Sequence, residues 1–378
     1  MGLLPRLPVG AARGAGLLVL MALLVGCAAD KPTPTALETY APKIAGRLVW
    51  QAQLGRMGYG MVAVARDGLF YVASGDGDLR ALKADTGEVI WRNQAGTSIA
   101  AGVGADARFA TLVSRDNEVI TYDNGREAWR KRLPSGVVTP PVVAGERVFV
   151  MSVDRVVHAF DAIDGRRLWV LQRPGDALTL SQAGVLTYVG NTLLVGQGPR
   201  LLGVDPTKGT VQWDVPLATP RGSNEVERLA DLIGPAVRVG DRVCARAFQA
   251  AVGCADAVRG AQLWTRNVGG AQAVGGDAER VYGADASDRI SAWRASNGDV
   301  LWSTEKLLYR GLSGAVAVGP VVVFGDSEGY VHFLSGATGE QQLRLPTDGK
   351  PILGTPVVSG NTLLVVTQEG GLFAFRPN

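Results

Sequence analysis

The sequence predicts an all-β protein, an eight-bladed β-propeller of four-stranded antiparallel blades. One octapeptide, ADTGEVIW at residues 84–91, recurs in altered form, and its copies end 41, 38, 40, 44, 51, 38 and 41 residues apart. Spacings near 40 residues are typical of a propeller blade. No long segment has the 3.6-residue apolar period of an amphipathic helix. The repeats end at Trp50, Trp91, Trp129, Trp169, Trp213, Trp264, Trp302 and Leu343.

The elements of the first repeat follow from its residues. It opens with the apolar run MVAVA at Met61–Ala65, and the strands LFYVAS and LRALKA follow, separated by GDGD. DTGE then precedes the fourth strand, VIW. Branched and aromatic residues favour strands, whereas Gly and Asp favour hairpin turns. Each repeat therefore predicts four strands.

The two ends of the chain predict how the ring closes. The last repeat, GNTLLVVTQEGGLFAFRPN, has no fourth strand, and GRLVW at Gly46–Trp50 has no strands before it. We expect this N-terminal strand to complete the last blade. The predicted organisation is a removed leader (1–26), a tether (27–43) and one propeller (44–378).

The turns of the Asp-x-x-Thr-Gly type are interpreted as structural elements of the blades rather than as ligand-binding loops. Asp can cap such a turn, Gly can adopt positive φ, and tryptophan can pack between blades. A calcium loop concentrates more oxygen ligands than these turns carry. No metal site is therefore predicted.

Charge and composition argue against nucleic-acid binding and catalysis. Lys and Arg total 38 and Asp and Glu total 35, a net +3, which becomes +1 without Arg6 and Arg13 (3 − 2), and no basic stripe is present. The only two histidines, His158 and His332, occupy the same repeat position as Arg80 and read as strand residues. No catalytic residue and no cofactor are predicted.

The leader resembles a bacterial lipoprotein signal. Its apolar run, Leu17–Val25, is too short to cross a bilayer, and Leu24-Val25-Gly26-Cys27 matches a lipobox. The resemblance implies that Cys27 is lipidated and becomes the first residue. Ala28 after the cysteine is typical of export to the outer membrane. The alternative is an ordinary signal peptide with an incidental cysteine.

Cys244 and Cys254 are predicted to face each other across a hairpin. They lie ten residues apart, and an exported protein can form disulfides. A cross-strand disulfide is sterically allowed there. The alternative is two small buried thiols. The same two repeat positions hold Tyr71 and Ala81, Phe149 and Ala159, and Tyr282 and Ala292.

Two long connectors between repeats are candidate interaction loops, because repeat proteins place function in insertions on one face. RPGDALTLSQAG follows Trp169, and TPRGSNEVERLADLIGP follows Trp213. Being in the same repeat phase, they should lie side by side. Apolar residues within a charged rim are typical of a protein interface; leucines folded over the propeller edge are the alternative. The apolar residues are Leu178, Leu180, Leu229 and Leu232, and the charged ones are Glu225, Glu227, Arg228 and Asp231.

The whole chain resembles the BamB family, lipoproteins of the outer-membrane β-barrel assembly (BAM) machinery. The lipobox, the repeat ends, EVERLADL and VVVFGDSEGYVHFLSGATGE carry the resemblance. It implies a non-enzymatic protein, lipid-anchored in the outer membrane and facing the periplasm. It also implies binding to the POTRA domains of BamA, with the rest of the BAM complex, and help in inserting outer-membrane β-barrels.

The resemblance assigns the BamA contact to two segments. Leu-x-Leu-Arg is matched by Leu178 and Leu180, with Ser181 in place of the arginine. The second segment is matched by Asp231, with Ile233 where the family has a second acid. Arg228 could supply a nearby cation. The predicted BamA-binding residues are Leu178, Leu180, Ser181, Glu225, Arg228, Leu229 and Asp231.

The expected mechanism is scaffolding, in which the lipid on Cys27 raises the concentration of the propeller near BamA. Nascent barrel strands could also pair with the unpaired outer edges of blades. Two alternatives are a quinoprotein-type dehydrogenase and a periplasmic sugar-binding propeller. The first would require a cofactor pocket and an adjacent cysteine pair, and the sequence contains neither.

Overall fold

The computed structural model describes Gly2 and residues 32–58, 61–174, 178–220 and 222–378. The leader and Cys27 lie outside these residues. Of the unit Met1–Pro34, only Gly2 and residues 32–34 are described. The unit Thr35–Asn378 carries the propeller. Among the described residues, none forms a helix that could span a membrane.

Thirty-two strands form eight antiparallel four-stranded blades in the described part of the chain, which confirms the predicted fold. The first strand is β1 (Gly46–Gln53). Blade one contains β2 (Val64–Arg66), β3 (Leu69–Ala73), β4 (Asp78–Lys83) and β5 (Val89–Gln94). Blade two contains β6 (Ile99–Ala105), β7 (Phe109–Ser114), β8 (Glu118–Asp123) and β9 (Arg126–Arg132). Blade three contains β10 (Val142–Ala144), β11 (Arg147–Met151), β12 (Val157–Asp161) and β13 (Arg167–Leu171). Blade four contains β14 (Leu186–Val189), β15 (Thr192–Gln197), β16 (Arg200–Val204) and β17 (Val211–Pro216).

The second half of the ring repeats this order. Blade five contains β18 (Leu232–Val239), β19 (Arg242–Ala247), β20 (Ala251–Asp256) and β21 (Ala261–Arg266). Blade six contains β22 (Gly275–Gly276), β23 (Arg280–Ala284), β24 (Ile290–Arg294) and β25 (Val300–Thr304). Blade seven contains β26 (Val316–Val318), β27 (Val321–Gly325), β28 (Tyr330–Ser335) and β29 (Gln341–Pro346). Blade eight contains β30 (Val357–Ser359), β31 (Thr362–Val366) and β32 (Gly371–Pro377).

The ring closes within blade eight. The N-terminal strand β1 pairs antiparallel with β32 as its outer strand, from Gly46 opposite Pro377 to Gln53 opposite Gly371. The inner strand β2 contacts both β6 and β30, its neighbours on either side. The predicted closure by the N-terminal strand is therefore confirmed, and both ends of the chain stabilise one sheet.

Each blade has its loops on two opposite faces, because its strands alternate in direction. The turns between first and second strands and between third and fourth strands lie on one face, here called the turn face. The turns between second and third strands lie on the other face, here called the connector face. So do the connectors between blades, such as the described residues of 172–185 and 217–231. The two candidate interaction loops therefore lie on the connector face, and the Asp-x-x-Thr-Gly-type turns lie on the turn face.

Neighbouring blades are joined by a contact between tryptophan and glycine. The ring of Trp129 in blade two lies on Gly165 in a turn of blade three, and its Nε1–H donates to the Ala162 carbonyl at 2.9 Å. Gly165 has φ +69°, and an added Cβ would lie 2.6 Å from the indole. Both the conformation and the space therefore require glycine. The equivalent pairs are Trp50 with Gly87, Trp91 with Gly125, Trp169 with Gly209, Trp213 with Gly260, Trp264 with Gly298, and Trp302 with Gly339.

Each terminal tryptophan also has a small partner in its own blade. Trp169 lies opposite Ala159, and Trp213 lies opposite Gly203. A register shift accompanies the pairing in all eight outer strands. A β-bulge redirects the side chain it precedes, so the bulge and the small partner together position the ring towards the next blade.

Leu343 is the exception because of where the ring closes. The fourth strand of blade eight is β1, which is distant in sequence from the third strand β32, so no hairpin turn joins the two. Leu343 therefore has no turn glycine in blade eight to contact and lies near Gly46 instead. Its partner within blade seven is the large Phe333 rather than a small residue. In the other blades the outer strand carries the large side chain and the third strand the small one. Here the larger side chain, Phe333, is on the third strand, so the pair still fills the space between the strands and the next blade.

The predicted register of the cysteine pair appears in blade five. Cys244 and Cys254 lie directly opposite each other in β19 and β20, with their Cα atoms 4.0 Å apart, and their sulfurs form a disulfide. Both residues are buried. The equivalent pairs, Tyr71 with Ala81, Phe149 with Ala159 and Tyr282 with Ala292, lie opposite each other in the same way.

Residues 35–44, here called the N-terminal strap, lie along the outside of blade seven. At one end the Thr35 N–H donates to the Leu308 carbonyl at 2.9 Å, on the connector face. At the other end the Lys43 N–H donates to the Gln342 carbonyl at 2.8 Å. The sequence assigns residues 27–43 to a tether, whereas the strap is bound to the propeller. It covers part of the outer edge of β29.

Apolar and charged side chains hold the strap in place. Leu37 packs against the core between blades six and seven, and Ile44 packs against the core between blades seven and eight. The Arg344 guanidinium lies 5.6 Å from the centre of the Tyr40 ring. Composition alone predicts a tether here, because Pro and Thr separate these few apolar residues. Two ion pairs join Lys43 to Glu340 at 2.7 Å and Lys306 to Glu38 at 2.8 Å.

A buried charged network lies at the end of the strap. Arg310 donates to Asp326 at 2.8 Å and to the Thr35 carbonyl at 3.1 Å. Asp326 also contacts His332 Nε2 at 2.9 Å, and all three side chains are at most 3% exposed. His332 Nδ1 is buried with no hydrogen-bond partner among the described residues. Burial lowers the pKa of His332, so the neutral ring is favoured.

We predict that Gly165→Ala destabilises the propeller more than Gly190→Ala does. Both glycines have positive φ, at +69° and +54°, so alanine strains the backbone at each by about 1–2 kcal/mol. Only at Gly165 would the new Cβ collide with Trp129; at Gly190 nothing lies within 4 Å. Urea unfolding should show the difference. Equal losses of unfolding free energy would contradict the role of the indole contact.

We predict that stability falls as the pH drops from 7 to 5.5. Burial lowers the pKa of His332 and of His158, so the unfolded chain binds protons below about 6.5 that the folded chain does not. Each histidine contributes a slope of at most about 1.4 kcal/mol per pH unit. In His332→Gln the amide can still donate to Asp326, and the slope should flatten. Urea unfolding at each pH measures this; an unchanged slope would contradict it.

Candidate functional site

The two long connectors lie side by side on the connector face. Residues 172–185 join blades three and four, and residues 217–231 join blades four and five. Gly184 at the end of the first forms an isolated bridge with Ile233, and the Gly234 N–H donates to the Ala183 carbonyl at 2.9 Å. The predicted proximity of the connectors is therefore observed. Ile233 itself is buried and is not part of the surface.

Asp231 links the two connectors through both of its carboxylate oxygens. One oxygen accepts a hydrogen bond from the Leu180 N–H at 2.9 Å. The other accepts one from Arg155 Nη2 at 2.8 Å, and both side chains of this ion pair are about 15% exposed. Arg155 also donates to the Leu178 carbonyl at 3.1 Å. One carboxylate thus fixes the segment that carries both leucines.

Arg155 was not predicted as a site residue. It lies in the turn between the second and third strands of blade three, with φ +64°, and is 76 positions from Asp231 in sequence. Turns of this kind occur in every blade, so no local signal distinguishes Arg155. Its turn shares the connector face with the two loops, which is why it can reach Asp231.

The second connector folds locally around Glu227. Its carboxylate accepts hydrogen bonds from the Ser223 N–H at 2.7 Å and from the Ser223 hydroxyl at 3.1 Å. The Glu227 N–H in turn donates to Asn224 Oδ1 at 2.9 Å. These bonds to Ser223 lower the pKa of Glu227. Glu227 therefore shapes the loop, in which Glu225 is exposed and Arg228 is half-buried.

The apolar part of the predicted site is divided between surface and core. Leu178 is 36% exposed, and Val226, which was not predicted, is 71% exposed. Leu180 and Leu229 are half-buried. Leu232 is only 2% exposed, contrary to its expected place at the surface, because β18 begins there and its side chain enters the core between blades four and five.

A cavity of about 310 Å³ opens between the connectors and blade four. Of the predicted site residues, Leu178, Glu225, Arg228, Leu229 and Asp231 line it, whereas Ser181 is exposed outside it. Three further arginines complete its walls: Arg155, Arg173 and Arg200. The structure thus brings together five of the seven predicted residues around one cavity.

No histidine is among the described residues that line this cavity. His158 lies in β12 and His332 in β28, both within blades. In the described part of the chain, no group of three or more His, Cys, Asp or Glu side chains is arranged to hold a metal ion. The surface around the cavity is instead built from apolar side chains and arginines, which are common at protein interfaces.

Comparisons with known proteins agree with this architecture. A family model described as "Outer membrane protein assembly factor BamB" matches residues 40–100 and 75–304. A Bordetella pertussis protein of that name is 34% identical over 380 residues, covering 98% of both chains. The crystal structure of BamB from Moraxella catarrhalis matches with a TM-score of 0.79 at 22% identity, covering 88% of this chain and 99% of that chain.

The same fold occurs in an enzyme. A quinohemoprotein alcohol dehydrogenase from Comamonas testosteroni matches with a TM-score of 0.64 at 16% identity, covering 88% of this chain and 76% of that chain. At this identity the likeness concerns the fold alone, and a propeller fold does not determine a function.

We predict that Asp231→Asn loosens the first connector without unfolding the propeller. The variant keeps the shape of the side chain but loses the charge that holds Arg155 and strengthens the bond from the Leu180 N–H. Amide exchange in residues 178–184 should accelerate by roughly tenfold. Asp256→Asn is the control, because Asp256 accepts backbone bonds from Val258 and Arg259 on the turn face. Unchanged exchange in Asp231→Asn would contradict the assignment.

Proposed function

The chain belongs to the BamB family of outer membrane protein assembly factors, and on that premise we propose that it is a non-enzymatic scaffold of the BAM complex. Lipidated at Cys27, it faces the periplasm from the outer membrane. It binds the POTRA domains of BamA through the two connectors and thereby assists the assembly of β-barrel proteins.

One observation carries this proposal. The two segments that the family resemblance assigns to BamA binding, around Leu178–Leu180 and Asp231, are distant in sequence but joined by the Asp231 carboxylate. Leu178 is exposed beside it, with Leu229 in the same cavity wall. An apolar centre held by half-buried polar contacts and bordered by charges is suited to a stable protein interface.

The scaffold role follows from the rigidity of this arrangement. The connectors begin and end at strands of blades three, four and five, and Arg155 of blade three contacts both of them. A partner bound here would be held by three neighbouring blades. The lipid on Cys27 would raise the local concentration of the propeller at the membrane, which favours binding without any further contact.

The test is co-purification of BamA with tagged protein from detergent-solubilised outer membranes. We expect wild type to retain BamA, and Leu178→Asp and Asp231→Lys to lose it, because the first places a charge in the apolar centre and the second reverses the charge that holds the loops. Val258→Asp is the matched control, since Val258 is 67% exposed on the turn face.

The outcomes separate the function from the site. Absence of BamA from wild type would contradict the scaffold function. Retention of BamA by both connector variants, with the wild type positive, would contradict the site. Circular dichroism and urea unfolding of every variant establish that lost binding is not lost folding.

A further inference from the structure

The walls of the connector cavity contain more guanidinium groups than carboxylates. Among the described residues, four arginines line it and only Glu225 and Asp231 oppose them. The four are Arg155, Arg173, Arg200 and Arg228. Arginine forms planar, bidentate hydrogen bonds with carboxylates, so such a concentration favours an acidic ligand.

The ion pairs within the cavity leave this excess in place. Asp231 is matched to Arg155 at 2.8 Å. Arg173 and Arg200 share one carboxylate, that of Asp214, at 2.9 Å and 2.6 Å. Two cations thus compete for one anion.

Arg228 differs from the other three arginines. It is half-buried and has no ion-pair partner among the residues that the structure describes. Its backbone N–H donates to the Asn224 carbonyl at 3.2 Å, in the turn that Glu227 shapes. The backbone of Arg228 is therefore held while its side chain contributes positive charge to the cavity wall.

We propose that this cavity receives an Asp or Glu side chain presented by the folded partner that docks on the connectors. The inference rests on the proposed function and names the chemistry of its contact. The carboxylate binds between Arg200 and Arg228, and apolar neighbours of that acid pack on Leu178 and Leu229. A cavity of about 310 Å³ greatly exceeds the roughly 30 Å³ of one water molecule in liquid, so it can admit a side chain.

The lining favours an acidic protein segment over a polyanion. Glu225 in the wall repels a continuous row of phosphates, and exposed Leu178 offers them no favourable contact. The whole chain has a net charge of only +3 and no basic stripe. A single carboxylate beside apolar residues satisfies both the arginines and the leucines.

This chain lacks a cationic side chain at position 181, so the positive charge at this surface has to come from the arginines of the cavity. The family resemblance places an arginine there, but this chain has a serine, which is exposed outside the cavity. Arg200 and Arg228 come from other parts of the chain and lie in the cavity wall. These two can therefore supply the positive charge that the family pattern places at position 181.

The experiment measures binding of the purified POTRA domains of BamA from the same organism to the purified propeller by calorimetric titration. Arg228→Glu and Arg200→Glu should each weaken binding by about 10-fold to 100-fold, the value of a charge-assisted hydrogen bond. Arg259→Glu is the control, because Arg259 is 83% exposed on the turn face, and it should bind as wild type does. Changing each exposed acid of the POTRA domains to lysine should identify one change that restores binding to Arg228→Glu.

The outcomes distinguish the two levels of the proposal. No binding by wild type would overturn the proposed function and this inference together. Wild-type binding that is lost in Leu178→Asp but unaffected in both arginine variants would overturn the carboxylate contact alone. Failure of every acid-to-lysine change to rescue Arg228→Glu would also overturn it. So would Arg228-dependent binding to vesicles of phosphatidylcholine with phosphatidylglycerol, combined with unaltered POTRA affinity.

Discussion

The contact between a tryptophan in one blade and a turn glycine in the next determines the rest of the structure. Among the described residues this contact occurs at seven places. At each of them the glycine has positive φ and there is no room for a Cβ atom. The indole is directed there by a bulge in its own strand and by the small residue opposite. Blades are therefore fixed to their neighbours on the turn face, independently of what the connector face carries.

This separation allows the connectors to specialise. The turn face must preserve glycine and tryptophan, whereas the connectors between blades three, four and five have only to begin and end at strands. Their internal order comes from polar contacts of their own, chiefly Asp231 with Arg155 and Glu227 with Ser223. A change in these loops can thus alter binding while the ring remains intact.

Much of the ring could be predicted from the sequence, because equivalent positions in successive repeats carry similar residues and occupy the same place in each blade. The blade number, the closing strand and the register of Cys244 with Cys254 all follow from repeat alignment. The Arg155–Asp231 pair does not, because it joins residues in different blades and occurs once. The burial of Leu232 does not follow either, because the sequence does not locate the start of β18 to within one residue, and the side chain there enters the core. The contacts of the strap could not be predicted either, because its few apolar residues pack on blades that lie far from it in sequence.

The binding of the strap to blade seven would limit the distance between the propeller and the lipid anchor proposed at Cys27. Only eight peptide steps separate Cys27 from Thr35, and a fully extended chain of that length spans about 28 Å. With Cys27 lipidated as proposed, Thr35 is kept within that radius of the bilayer surface, and Thr35 lies on the connector face. Such an anchor would attach to one side of the ring, beside blade seven, and the proposed partner-binding face would stay close to the membrane.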